Sequence, residues 1–411
     1  MSVDNKVPEM RFKGFSKDWG KNPLSIFISS LDAGVSVNSG DRAANENEFG
    51  ILKTSCVTNG FFEPTENKIV FKTEEISRLK EPVLENTIII SRMNTPALVG
   101  ANAYISKSYA NYFLPDRLWA AKPSSIGDLK FIAYILGSDK GRLALSDLAT
   151  GTSGSMKNIS KPSVLQLEFR TPEEKEQIQI GNYFQKLDAL INQHQQKHDK
   201  LSSIKKAMLE KMFPKPGETI PEIRFKGFSR EWRTSGLSDL ALFNPKSELP
   251  IFFKYVDLES VKGTSLLGYK LESKDDAPSR AQRHAQKGDV FFQTVRPYQK
   301  NNYLFNSEES DYVFSTGYAQ LRPYFNGYFL LNLVQRDSFV KNVLDNCTGT
   351  SYPAINASTL ATLEVSYPEC EMEQAQIGNF FQKFDMQINN HHQQITKLNN
   401  IKQACLNKMF V

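Results

Sequence analysis

The side chains best suited to reading a base edge sit in loops that follow short apolar runs. Arg92 and Asn94 come directly after Thr87-Ile88-Ile89-Ile90, with Arg117 and Lys157 further along. In the second half, Gln293, Arg296, Tyr298, Gln299, Lys300 and Asn301 follow Asp289-Val290-Phe291-Phe292. Arg and Lys can pair with guanine O6 and N7, Asn and Gln with adenine N6 and N7, and all of these types also bind phosphate. An exposed Arg or Gln equally serves as solvated surface, so the second cluster carries more weight than any one member.

Patterns for covalent chemistry are missing. No GxxxxGK[ST] phosphate loop is present, which argues against ATP hydrolysis by this chain. No Asn-Pro-Pro-Tyr or Asp-Pro-Pro-Phe segment occurs of the kind that holds a flipped base for methylation, and Asn244-Pro245-Lys246-Ser247 is no substitute. Glu173-Glu174-Lys175 resembles a nuclease acid–acid–lysine pattern, but acidic residues opening a helix suit its dipole. The five histidines show no Ser/His/Asp or metal-ligand spacing.

Bulk properties set the frame. The chain has 411 residues, enough for about two or three domains. It is 40% hydrophobic with 28 phenylalanines, which supports packed cores rather than disorder. No apolar run approaches the roughly 18 residues of a membrane span. Met1–Asn5 is polar and leads into no signal core. Cys56, Cys347, Cys370 and Cys405 are scattered without CxxC spacing, which suits free thiols in a cytoplasmic protein. A net charge of +5 permits nucleic-acid binding without demanding it.

The elements that must position the candidate readers are duplicated. Pro8–Trp19 returns as Pro221–Trp232 with nine of twelve positions identical. Glu173–Phe213 returns as Cys370–Phe410, aligning Gln179-Ile180-Gly181-Asn182 with Gln376-Ile377-Gly378-Asn379. The chain thus reads as lead-in segment, variable body and long helix, and then the same three again. Pro214-Lys215-Pro216-Gly217 ends the first half.

Both long segments carry a helical seam. Phe184, Leu187, Ile191, His194, His198, Leu201, Ile204, Met208 and Met212 recur with a mean step of 3.5 residues, the period of a coiled coil. Phe381, Phe384, Ile388, His391, Ile395, Leu398, Ile401, Cys405 and Met409 repeat it. Each helix would reach roughly 60 Å. His194 and His391 hold equivalent places near the helix midpoints and would face each other in an antiparallel pair. Two histidines make a poor metal site, so a polar layer that fixes register is the better reading.

The two bodies, about residues 20–170 and 233–368, share a skeleton of short strands and a helix-prone stretch, Leu129–Leu148 or Tyr328–Leu344. Both then carry Thr-Gly-Thr-Ser (150–153 and 348–351), whose backbone could meet phosphate or simply turn. A short strand follows, expected at Val164–Phe169 or Thr362–Val365, and Pro172 or Pro368 precedes the long helix.

This order resembles the specificity (S) subunits of type I restriction–modification systems, over essentially the whole chain. The Gly-Thr-Ser loops and the Glu-Gln helix starts (Glu176-Gln177 and Glu373-Gln374) match the family's style. So do Tyr255-Val256-Asp257-Leu258, Gly288-Asp289-Val290-Phe291 and Ser315-Thr316-Gly317-Tyr318. The first body is a looser match, through Leu52-Lys53-Thr54-Ser55 and Ile89-Ile90-Ser91-Arg92.

The resemblance implies an α+β fold with two globular target-recognition domains in pseudo-twofold tandem, separated by two long antiparallel coiled-coil helices. The expected segments are 1–171 and 214–368 for the recognition domains, and 172–213 and 369–411 for the spacer helices. It further implies a non-catalytic chain that reads a gapped, bipartite double-stranded DNA target. Two methyltransferase subunits would dock on it, and the complex can add two restriction/translocase subunits. No cofactor is expected on this chain; S-adenosylmethionine, ATP and Mg belong to the partners. A free-standing tandem DNA-binding regulator and a protein-binding scaffold remain open as alternatives.

Overall fold

The computed structural model describes residues 6–58, 60–151, 156–349 and 351–411. Two units separate, one of residues 1–194 with 394–411 and the other of residues 195–393. The long helices are Glu174–Lys211 and Glu371–Lys408. Each gives its first half to one unit and its second half to the other.

Each unit holds one α+β head built on a four-stranded antiparallel sheet. In the first its strands lie in the order Asn102–Ile105, Thr87–Ser91, Leu118–Pro123 and Ile28–Ala33. In the second the order is Ala241–Phe243, Tyr318–Pro323, Val290–Gln293 and Tyr303–Leu304. The unbroken apolar runs in the sequence have a simple cause, because both sheet faces are covered. Ile88 and Ile90 enter the core shared with the helices, whereas Ile89 enters the core under a second sheet. In the other head Val290 and Phe292 face the helices while Phe291 lies in the second core, stacked 3.6 Å from Phe314. Each second sheet contains one parallel pair: Gly50–Leu52 with Tyr109–Phe113, and Phe252–Val256 with Tyr312–Ser315.

Two local expectations are corrected. Leu129–Leu148 divides into helices Leu129–Gly137 and Asp139–Asp147, because Ser138 turns extended and caps the second through Gly141 N. Val164 and Thr362 belong to short helices, Lys161–Gln166 and Ala357–Thr362, and the strands begin after them at Glu168 and Glu364. Ser160 and Asn356 accept from Ser163 N and Thr359 N, so polar caps outweigh the β-branched residues.

The helices run antiparallel within each unit. In the first, Phe184 stacks on Phe410 at 5.7 Å and Asp188 pairs with Lys402 at 2.6 Å. In the second, Phe213 stacks on Phe381 at 6.3 Å, Asp385 pairs with Lys205 at 2.5 Å, and His198 approaches His392 at 6.2 Å. The two Lys–Asp pairs occupy the same positions of the repeat, and both are largely shielded from solvent.

Of the expected seam, Phe184, Leu187 and Phe381 are buried. Ile191, His194, Leu201, Ile204, Phe384, Ile388, His391 and Leu398 are half-buried. Ile401 is a correction, being 36% exposed. Lys402 takes the inward place in that turn, its ammonium 5.8 Å from the Tyr134 ring and bonded to Asp188, so its aliphatic stem does the covering.

The repeated lead-in segments tie helix ends together. In the first unit Arg11 makes two 2.7 Å bonds to the buried Glu176 carboxylate, while Met10 N donates to Lys408 O. In the second, Arg224 bonds Glu373 at 2.7 and 2.8 Å, and Ile223 N donates to Lys211 O. One segment therefore neutralises the start of one helix and satisfies a terminal carbonyl of the other. The Gln of each Glu-Gln pair holds the proline carbonyl before its helix, Gln177 to Pro172 and Gln374 to Pro368.

The glycine shared by the two helix repeats has a packing reason. A Cβ on Gly378 would lie 2.2 Å from Asn326 Oδ1, the atom that caps the head helix Gly327–Gln335 through Phe329 N. Gly181 meets Asp128 Oδ1 at 2.6 Å in the first unit, again a helix cap. Gly378→Ala should therefore destabilise by about 1–3 kcal/mol, although alanine favours the helix intrinsically. Chemical denaturation checks this, and a stabilised variant would contradict the packing account.

Candidate nucleic-acid interface

The readers expected in the first head gather around the end of its central strand, Thr87–Ser91. Arg92 is half-buried, donates from Nε to Asp116 O at 2.7 Å, and lies 6.0 Å from the Trp119 ring. Its backbone N–H donates to Arg117 O, which brings those two residues side by side. Arg117 itself is exposed. Lys157 pairs with Asn94 in a short ladder, and its ammonium reaches Gly151 O at 3.2 Å.

Asn94 is a correction. It is only 8% exposed, donates to Ser91 Oγ and accepts from Thr95 N, so its amide shapes the turn rather than facing a ligand.

The second head presents a tighter arrangement on a one-turn 3-10 helix, Pro297–Gln299. Arg296 and Lys300 flank it, both in the left-handed region at φ 54° and 53°, a conformation that non-glycine residues adopt at a cost. Several bonds hold it there. Arg296 N donates to Pro353 O at 2.8 Å, and Val295 bridges Ala354. Asn301 Oδ1 accepts from Gly263 N at 2.8 Å.

Two further members are corrected. Gln293 is 2% exposed and donates to Val295 O and Gln299 Oε1, so it braces the loop from beneath. Lys300 is turned back onto the head, its ammonium bonded to Asp337 and to Gln335 O. What faces outward is Tyr298 and Gln299, while Arg296 is half-buried beside them. The Gln299 oxygen already accepts from Gln293, leaving its NH2 as the group it presents.

Sequence reasoning passed over Tyr352. It is 64% exposed, and the Arg296 guanidinium lies 4.5 Å from its ring centroid. A signal was available: an aromatic directly follows the second Thr-Gly-Thr-Ser, where the first copy has Gly154. Thr152, Ser153 and Thr350 of those tetrapeptides lie outside the described residues, so the expected phosphate contact there has no structural account.

Behind this loop lies a cavity of about 450 Å³, lined among others by Lys206, Glu210, Lys300, Arg336 and Asp385. Arg336 is buried against the Phe213 ring at 4.9 Å and donates to Pro214 O, and burial pushes its guanidinium down to about 10. Among the described residues no cluster of His, Cys, Asp and Glu could hold a metal ion. The four cysteines are free, and burial raises the Cys56 thiol to about 12, which leaves it inert. No helix among the described residues is long and apolar enough to cross a membrane.

Two α+β heads, each joined to a duplicated antiparallel helix pair, define a class, and comparison with known proteins assigns it. The sequence model of the type I restriction modification DNA specificity domain matches residues 36–203 and 272–400, and the chain belongs to that family. A similar curated protein is the type I restriction enzyme HindI specificity subunit of Haemophilus influenzae, 25% identical over 164 residues. That match spans 38% of this chain and about a third (35%) of the relative. Among solved structures, the type I restriction-modification S subunit of M. genitalium aligns over 98% of this chain and 99% of its own. Its TM-score is 0.63 at 17% identity, a likeness of fold.

Proposed function

We propose that this chain is the DNA sequence-specificity subunit of a type I restriction–modification complex. Each head reads one half of a bipartite, gapped target in double-stranded DNA, and the helix pair sets the gap between the halves. Residues 1–171 and 214–368 serve as recognition domains, with 172–213 and 369–411 as spacer helices. The subunit performs no chemistry itself. It docks two methyltransferase subunits, which bring S-adenosylmethionine, and in a restricting complex two translocase subunits, which bring ATP and Mg. Such a complex works in the cytoplasm.

The observation that carries this reading is the duplicated unit of lead-in segment, head and helix within a chain of the specificity family. A duplicated reader fits a duplicated target, since readers on a rod can meet major grooves about 34–36 Å apart. Co-expression with a cognate adenine methyltransferase subunit should yield a complex of two methyltransferases per chain that methylates a gapped site. A chain that ignores the methyltransferase and binds DNA tightly alone would instead be a tandem regulator. One that binds no DNA in any complex would be a protein scaffold.

A further inference from the structure

We propose that Arg296, laid against Tyr352, reads a guanine in the half-site of the second head, with Tyr352 as the residue that positions it. The inference rests on the reading of the chain as a DNA-specificity subunit and adds the base and the side chains that choose it.

Of the other cations in the two reading loops, three already have hydrogen-bond partners. Lys300 is bonded to Asp337, Lys157 to Gly151 O, and Arg92 to Asp116 O. Arg117 is exposed, and its guanidinium lies over no aromatic ring among the described residues. Arg296 joins two properties that none of these four has together. Its guanidinium carbon lies 4.5 Å from the centroid of an aromatic ring, and none of its side-chain N–H groups bonds another described residue. Stacking uses the face of the guanidinium and leaves its donor edge available. That edge carries two parallel N–H groups, and guanine presents O6 and N7 at matching spacing in the major groove. A stacked arginine has already given up much of its rotamer freedom, so less is lost when both bonds form.

The backbone supports the same assignment. Arg296 is held in the left-handed region by Pro353 O and by the Val295–Ala354 bridge. Strain maintained by surrounding bonds fits a residue whose direction matters. Tyr352 hydrogen-bonds to no described residue and leaves most of its ring in solvent, an arrangement that core packing does not explain.

The test uses the full chain in complex with its methyltransferase and a DNA library randomised across the second half-site. Wild type should select a motif with a guanine in that half. Arg296→Ala and Arg296→Lys should each lose discrimination at that one position by about ten- to a hundredfold, leaving the other positions as they were. Tyr352→Ala should weaken the same position, and Tyr352→Phe, which keeps the ring, should restore it. Unchanged melting temperature and complex assembly would show that these variants fold. An unaltered consensus in Arg296→Ala overturns the inference. So does a uniform fall across all sequences with a salt dependence reduced by about one charge, which marks a phosphate contact. If wild type selects no motif at all, the broader reading fails and this one falls with it.

Discussion

Replacing Glu373 with Ala should destabilise the second unit by about 3–5 kcal/mol. Glu373 is 1% exposed at its side chain and faces Arg224, which is 12% exposed. Two short bonds join them, and Trp232 Nε1 adds a third at 3.3 Å. Removing the carboxylate would leave a guanidinium with little water and no counter-charge, and that desolvated cation is the source of the penalty. The damage should also spread. Ile223 N, one residue before Arg224, bonds the terminal carbonyl of Lys211, so a displaced lead-in segment releases the end of the other helix.

Hydrogen exchange of peptides from residues 195–393 reads the effect locally, without assuming that the whole chain unfolds in one step. A double variant, Glu373→Gln with Arg224→Met, should recover much of the loss, because it removes the unpaired charge. A single-variant penalty below about 1 kcal/mol would place the pair among ordinary surface contacts and refute the clamp.

The second large effect is expected at Phe213. It lies two residues past the first long helix, is 1% exposed, and has Phe329, Trp232 and Phe381 rings at 5.5, 5.7 and 6.3 Å. Phe213→Ala should cost about 3–5 kcal/mol through lost burial and a residual cavity. It would also strip the ring from beneath the buried Arg336 guanidinium, so the site cannot collapse around apolar atoms alone. Phe213→Leu should cost clearly less. Thermal unfolding of the two variants checks the order, and equal losses would mean that the aromatic ring itself, not the buried volume, carries the contribution.

Much of this architecture was legible because it was written twice. The helices and the places of the two heads along the chain follow from a seam and a repeat that need no tertiary information, whereas the antiparallel pairing came only with the family resemblance. The repeat also marked the lead-in segment as important without saying why. The reason is a bond between residues 149 positions apart, Arg224 with Glu373, which no local pattern expresses.

Polar residues inside the seam were misread for a related cause. A heptad read by residue type selects Ile401, yet Lys402 faces inward because Asp188 waits there. Its twin, Lys205 with Asp385, stands at the same place of the other copy, so comparing charges between copies would have found both.

The heads were less legible. Their strands run two to six residues and pair across long separations, as Tyr112 does with Gly50, so composition locates strands without giving their order. Among the candidate readers, type alone could not separate Gln293 and Asn94, whose amides brace turns, from Gln299, which faces out. Polar side chains that shape a reading loop and those that read share one chemistry. Only burial tells them apart.

The most direct measurement of the central claim is a map of every adenine methylated in cells that express this chain with its methyltransferase. The account predicts one bipartite motif with a fixed gap, and replacing residues 214–368 by the second head of another specificity subunit should change one half of it alone. Methylation at contiguous, ungapped sites, or a motif unaltered by that exchange, would contradict it.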